Sequence, residues 1–123
     1  MPQILNNSLV LVVGHTRCGG AAACLKALTA ATPPSKPTTP LGRWLAPLIA
    51  LAGTLNLKSV PEPEALTKIV EASVRAQVEN VIRTTPVQDA WASGRKNLWV
   101  HGLVYELETG TLRDLDITKG PPA

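Results

Sequence analysis

Aromatic residues and cysteines are scarce in this chain of 123 residues, which has three Trp, one Tyr, no Phe and two Cys. The core must therefore be built from Val, Leu, Ile and Ala. Two cysteines are too few for a disulfide scaffold, so a reducing compartment is the expected environment. A chain of this length has room for one domain, which we expect to comprise residues 1–123.

Long apolar runs are also lacking, and we expect no N-terminal targeting signal. The longest apolar stretches, such as residues 9–13 and 44–52, fall far short of the roughly 20 residues that cross a bilayer. Residues 1–8 contain no Lys or Arg, which a signal peptide needs before its apolar run. We therefore expect no membrane association and a cytoplasmic location, with an organelle as the alternative.

Clusters of basic residues are lacking as well, although the net charge is +3. The 12 Lys and Arg are spread along the chain, and aromatic residues are not interleaved with them. Nucleic-acid-binding proteins usually concentrate basic residues on one face and add aromatic residues for stacking. We expect a mildly basic surface and no nucleic-acid partner.

Hydrophobic periodicity predicts an α/β domain in which one strand is followed by four helices and two more strands. The apolar run at residues 9–13 is typical of a parallel strand buried on both faces. The other predicted elements are helices at residues 21–31, 41–52, 64–83 and 86–92 and strands at 97–105 and 112–117. The last strand is expected to be short, bulged or at an edge. The proline-rich residues 32–40 are predicted to form a surface connection.

The predicted helix at residues 64–83 carries acidic and basic residues four positions apart. The acid comes first in each pair, which is the stabilising orientation. The pairs are Glu64 with Lys68, Glu71 with Arg75, and Glu79 with Arg83. This pattern predicts a solvated helix face.

One dense group of chemically useful residues follows the first strand, in the segment Gly-His-Thr-Arg-Cys-Gly-Gly at residues 14–20. His15 and Cys18 are two residues apart, a spacing that lets both side chains reach one metal ion. Zinc is the natural candidate because it accepts imidazole nitrogen and thiolate sulfur. Gly19 and Gly20 would let an anion approach the backbone closely. The alternative is a buried cysteine beside a capping histidine, since zinc sites normally have three or four protein ligands.

The remaining conspicuous side chains are interpreted as structural. Cys24 lies six residues after Cys18, on a different side of the predicted helix, and is expected to be a small core residue. His101 lies within an apolar strand and is expected to have a structural role. Trp44, Trp91 and Trp99 are predicted to be core or interface anchors.

Three segments, taken in order, resemble the β-class carbonic anhydrases. Residues 14–20 resemble the second zinc-ligand motif of that family. Residues 74–81, with Thr-Pro-Val at 85–87, resemble its long helix and the segment after it. Residues 99–105, with Glu-Thr-Gly at 108–110 and Leu112, resemble its C-terminal pair of strands. The resemblance extends from about residue 9 to residue 115.

The resemblance implies a mainly parallel β-sheet flanked by helices and a function in the reversible hydration of carbon dioxide to bicarbonate. His15 and Cys18 match two of the family's three protein zinc ligands, and Gly19 matches a glycine beside the bound substrate. In that family, zinc lowers the pKa of a bound water toward neutrality. Carbon disulfide is an alternative substrate for this type of pocket.

The chain departs from the family at the first ligand motif, Cys-x-Asp-x-Arg, which does not occur in the sequence. No catalytic Asp–Arg pair is therefore assigned, and the domain is expected to lack the family's N-terminal helices and first strand. Two functions follow as hypotheses. The chain is either part of a carbonic anhydrase, as a homo-oligomer, or a non-catalytic subunit that docks onto a longer paralogue.

Overall fold

The computed structural model describes residues 9–30, 37–95 and 97–122, in which seven elements follow one another in the predicted order. The strands are β1 (Leu9–His15), β2 (Trp99–Glu106) and β3 (Thr111–Lys119). The helices are α1 (Gly19–Thr29), α2 (Pro40–Gly53), α3 (Glu62–Ile82) and α4 (Thr85–Ala92). The predicted α/β class is confirmed.

The predicted proline-rich connection at residues 32–40 is described only in part. Residues 32–36 lie outside the described ranges. Pro40 belongs to α2 rather than to the connection, because proline is tolerated in the first turn of a helix, where its missing N–H would have no partner. None of the helices in the described ranges is long and apolar enough to cross a bilayer.

The three strands form one sheet in the order β1-β2-β3. β1 runs parallel to β2, with Leu9 opposite Trp99 and His15 opposite Tyr105. β2 runs antiparallel to β3, and the register shifts between Gly102 and Leu103. The sequence predicts a final strand that is short, bulged or at an edge; β3 has 9 residues and is therefore not short, but its pairing is irregular and it lies at an edge of the described sheet. Because β1 is parallel to its neighbour, the turn after His15 lies at the carboxyl edge of the sheet.

Helix α3 packs across one face of the sheet and forms the core with it. Ile69 and Val78 of α3, and Val100 of β2, are completely buried. Two strand glycines permit this close approach. A Cβ atom on Gly14 would lie 2.8 Å from Val74 Cγ2, and one on Gly102 would lie 2.9 Å from Val74 Cγ1. A larger residue at either position would push the helix away from the sheet.

The opposite face of the sheet is exposed, which makes the prediction of a strand buried on both faces wrong. Leu9, Leu11 and Val13 of β1 are 54%, 45% and 48% exposed. On the neighbouring strand, Trp99 and Tyr105 point to the same side and are also exposed. An apolar run shows only that a strand is compatible with burial on both faces. Here the described ranges contain no element that covers the second face of β1.

The three tryptophans occupy different environments. Trp44 on α2 is 75% exposed, so it does not lie in the core, and Trp99 lies on the exposed sheet face. For both residues, the alternative of an interface anchor stays a prediction. Trp91 on α4 is half-buried, and its indole N–H donates a hydrogen bond of 2.9 Å to the carbonyl of Leu98. This hydrogen bond connects α4 to the segment just before β2.

Candidate metal centre

A tight turn between β1 and α1 brings His15 and Cys18 to the carboxyl edge of the sheet. The ladder between the strands continues one residue past β1, because the N–H of Thr16 donates to the carbonyl of Tyr105 at 3.0 Å. Arg17 then adopts a left-handed conformation with φ of 54°. Cys18 is the N-cap residue of α1, and its carbonyl accepts the first helical hydrogen bond from Ala22 N. The two side chains are thus separated by one left-handed turn.

The imidazole of His15 is held in one orientation by its own neighbour. Its Nδ1 lies 2.7 Å from the carbonyl oxygen of Thr16. A carbonyl oxygen only accepts hydrogen bonds, so Nδ1 carries the proton and, in the neutral ring, Nε2 carries the lone pair. Metal-binding histidines commonly donate their second ring N–H to a carbonyl in this way. The tautomer that this contact selects is therefore one that is able to bind a metal ion through Nε2.

His15 and Cys18 line the same small cavity, which has a volume of about 190 Å³. The rest of its wall is mostly apolar and includes Leu48 of α2 and Ile69 of α3, with Ser73 as a polar neighbour. Cys18 is half-buried, and neither of the two cysteines is in a disulfide. The structure thus places an imidazole and a thiol on one mostly apolar cavity.

The donor set is nevertheless too small for a complete zinc site. Imidazole nitrogen and thiolate sulfur are ligands that zinc prefers, but its sites normally contain three or four of them. In the part of the chain that the structure describes, no group of three or more His, Cys, Asp or Glu residues is placed to hold a metal ion. His15 and Cys18 therefore fit zinc in their chemistry but not in their number.

Cys24 does not supply the third ligand. Its side chain is completely buried on α1, in agreement with the predicted core position. Burial raises the pKa of the Cys24 thiol above its usual value, and the nearby Cys18 sulfur raises it further. A thiol must lose its proton to bind zinc, so this environment favours an apolar core role for Cys24.

Gly19 and His101 complete the set of residues that the sequence singles out. Gly19 is the first residue of α1 and is exposed, and a Cβ atom built on it would meet no other atom within 4 Å. Open space therefore lies beside its backbone. His101 lies in β2, where its Nδ1 is 3.1 Å from the hydroxyl of Thr118 on β3. This cross-strand contact gives His101 the structural setting that the sequence predicts.

A larger cavity of about 520 Å³ lies beside the same turn but is lined by different types of residue. Its polar wall is dominated by glutamates and arginines, without histidine or cysteine. Arg113 is paired there with Glu106 at 2.7 Å and with Glu71 at 3.0 Å. Because Arg113 and Glu106 of this cavity are paired with each other, the smaller cavity is the better candidate for a metal centre.

One polar contact at the turn escapes prediction from the sequence. The hydroxyl of Thr16 donates to Glu108 Oε1 at 2.6 Å, across 92 positions of the chain. No local pattern links two residues so far apart. The only signal near Glu108 is its place in the Glu-Thr-Gly segment before β3.

Known proteins with a similar sequence and fold are carbonic anhydrases. The family model described as carbonic anhydrase matches residues 3–112. The β-carbonic anhydrase of Coccomyxa, solved in complex with acetazolamide, is 31% identical to this chain with a TM-score of 0.78. The match covers 95% of this chain and 50% of the Coccomyxa chain.

Two fungal structures give the same result. The β-carbonic anhydrase CafA of Aspergillus fumigatus is 32% identical with a TM-score of 0.72, over 89% of this chain and 49% of that protein. A tetrameric β-carbonic anhydrase of Sordaria macrospora shares the fold at 23% identity with a TM-score of 0.74, over 91% of this chain and 54% of its own. The chain thus spans about half the length of the solved structures that it matches.

Proposed function

This chain belongs to the carbonic anhydrase family, and on that basis we propose that it takes part in the zinc-dependent, reversible hydration of carbon dioxide to bicarbonate. The observation that supports this proposal is the placement of His15 and Cys18 on one cavity at the carboxyl end of β1. When bound, zinc would supply the Lewis acidity that makes a water molecule nucleophilic near neutral pH.

Each residue of the candidate centre has a distinct part in this proposal. His15 would bind zinc through Nε2, because Nδ1 is occupied as a donor to the Thr16 carbonyl. Cys18 would bind as a thiolate at the start of α1. The apolar wall that includes Ile69 suits an uncharged substrate such as carbon dioxide. The open space beside Gly19 leaves room for bicarbonate against the helix backbone.

The remaining ligands would come from a segment that carries the family's Cys-x-Asp-x-Arg motif. β2 is the only strand paired with β1 in the described ranges, so the outer edge of β1 is open there. A parallel strand added at this edge would end beside His15, because parallel strands have their carboxyl ends at the same side of a sheet. We propose that such a strand completes the donor set, either from the same polypeptide or from a second one.

A chimera tests this proposal directly. The segment of the Coccomyxa enzyme that carries the first ligand motif would be joined in front of residues 9–123. We expect this chimera to bind one zinc per chain and to accelerate carbon dioxide hydration in a stopped-flow assay. The 123-residue chain at the same concentration should give the uncatalysed rate, because it provides only two donors.

The matched control is the same chimera with serine in place of the cysteine of the added motif, which should lose zinc and turnover together. A zinc-loaded chimera without turnover would contradict the proposed reaction. Stoichiometric zinc and clear turnover in the 123-residue chain would contradict the need for added ligands.

The exposed sheet face favours a second candidate function, that of a non-catalytic subunit that docks onto a full-length member of the same family. Free sheet edges are usually protected by charged residues, proline or a bulge. The edge strand β1 has none of these between residues 9 and 14. Leu9, Leu11 and Val13 would be buried by a partner on that face. A longer family member is the favoured occupant because this chain has no counterpart for about half of the matched structures.

Co-elution with the full-length Coccomyxa enzyme tests the docking function. We expect a mixed complex in size-exclusion chromatography with light scattering, and its loss on Leu11→Lys, which places a charge on the apolar face. Leu41→Lys, on an exposed position of α2, is the matched control and should leave the complex intact. A chain that stays monomeric in the mixture, or pairs only with itself, would contradict this function.

A further inference from the structure

Thr16 connects the carboxyl end of β1 to the turn between β2 and β3 through three hydrogen bonds. Its N–H donates to the carbonyl of Tyr105 at 3.0 Å. Its hydroxyl accepts from the N–H of Leu107 at 2.9 Å and donates to Glu108 Oε1 at 2.6 Å. The Thr16 hydroxyl therefore both donates and accepts. Together with the backbone N–H, it holds Thr16 against the end of β2 and the turn that follows.

The same residue provides the acceptor that selects the tautomer of His15. The carbonyl of Thr16 lies 2.7 Å from His15 Nδ1. A rotation of the peptide that follows Thr16 would move this oxygen away from the ring. The contacts of the Thr16 side chain thus stabilise, indirectly, the orientation of the imidazole.

We propose that Thr16 and Glu108 are positioning residues for His15, fixing its Nδ1–H tautomer and so directing the lone pair of Nε2 into the small cavity. The importance of that lone pair rests on the proposed zinc function. The tautomer itself is a property of the chain alone and is measurable without any metal.

The hydroxyl-to-carboxylate hydrogen bond carries most of this effect. Hydrogen bonds from a hydroxyl to an ionised carboxylate are short and stronger than neutral ones, and the 2.6 Å distance falls in that class. The same bond is the main cause that lowers the pKa of the exposed Glu108 carboxyl, which is therefore ionised at neutral pH. The ion pair between Arg17 and Glu108 is longer, at 4.0 Å, and its exposed arginine makes it weak.

Nuclear magnetic resonance of the full chain at pH 8 without metal tests the proposal, because the chemical shifts of the ring nitrogens report which tautomer is present. Thr16→Val removes the hydroxyl at nearly constant volume, and Glu108→Ala removes its acceptor. We expect each variant to move the His15 tautomer ratio roughly fivefold toward Nε2–H, the size expected when one ordinary hydrogen bond is weakened. Thr16→Ser keeps a hydroxyl at this position and should keep the His15 tautomer ratio of the unaltered chain.

The chain contains its own controls. His101 is the only other histidine and should keep its tautomer in every variant. Thr109→Val removes a hydroxyl from the same turn, where Thr109 contacts Thr111 rather than Thr16, and should leave His15 unchanged. If Thr16→Val perturbs the whole fold, both histidines will shift, and the comparison of Thr16→Ser with Glu108→Ala then decides the question.

Cobalt(II) titration of the same variants separates this proposal from the function on which it rests. If His15 is also a metal ligand, the positioning role predicts a weaker cobalt affinity in Thr16→Val, by up to about fivefold, because the tautomer that binds through Nε2 is depleted by that factor. A tautomer ratio that stays constant in Thr16→Val and in Glu108→Ala overturns the positioning role. A ratio that shifts while cobalt affinity stays constant supports positioning and contradicts His15 as a metal ligand.

Discussion

Replacement of Cys18 by serine is expected to weaken zinc binding by the isolated chain roughly 100-fold. Structural zinc sites with four ligands have apparent binding free energies of about 10–16 kcal/mol, or about 3 kcal/mol per ligand. Two donors would therefore hold zinc with a dissociation constant on the order of tens of micromolar, and one donor would hold it only in the millimolar range. Competition with a chromophoric chelator at pH 7.5 measures both values.

The control for this experiment is the second cysteine of the chain. Cys24→Ala removes a thiol of the same helix, but one that is completely buried on α1. Zinc affinity should therefore stay within about twofold of the unaltered chain, which we take as the precision of the competition assay. His15→Ala should behave like Cys18→Ser, since it removes the other donor. Equal zinc affinities of Cys18→Ser and Cys24→Ala would show that the thiol of Cys18 does not face the metal.

Replacement of Ile69 by alanine is expected to lower the free energy of unfolding by about 3 kcal/mol. Ile69 is completely buried on α3, between the sheet and the candidate metal centre. Truncation of a buried isoleucine typically costs about 2–5 kcal/mol, because the cavity that forms is only partly filled by relaxation. Urea unfolding followed by circular dichroism measures the change, which is a large share of the roughly 5–15 kcal/mol of a typical domain.

Two further substitutions calibrate this result. Ile69→Val removes one methyl group and should cost about 0.5–1.5 kcal/mol. Leu41→Ala truncates an apolar side chain that is 62% exposed and should change the stability by less than about 0.5 kcal/mol. If Ile69→Ala lowered the free energy of unfolding no more than Leu41→Ala, the result would contradict the packing of α3 against the sheet.

The order and type of the elements are predictable here because each has a strong local pattern. The apolar run at residues 9–13 became β1, and the apolar stripe at 64–83 became α3 with its start two residues earlier. The final strand, expected to be short, bulged or at an edge, became β3, whose pairing with β2 shifts register between Gly102 and Leu103. These features depend on neighbours within one helical turn or one strand.

Partners across the fold are not predictable in the same way. The sequence places Glu71 four residues before Arg75 and Glu79 four residues before Arg83, a stabilising spacing that predicts a solvated face of α3. In the structure, Glu71 Oε2 lies 3.0 Å from Arg113, and Glu79 Oε1 lies 3.5 Å from Lys119. The side of α3 that bears these glutamates faces β3, so tertiary cations replace the helical ones. A pattern four residues apart contains no information about a strand that arrives forty positions later.

The candidate metal centre also combines features that the sequence predicts with features that only the tertiary structure decides. The type and spacing of His15 and Cys18 are enough to nominate a zinc-binding pair, because a turn of two residues confines both side chains to one end of a strand. The tautomer of His15, the contact of Thr16 with Glu108 and the open outer edge of β1 depend on how distant segments meet. Local chemistry along the chain thus determines which ligands are available, whereas the packing of β2, β3 and α3 decides how they are oriented and which face of the sheet is left uncovered. The physical reason is that periodicity reports free energies between near neighbours, while these contacts join residues up to 92 positions apart.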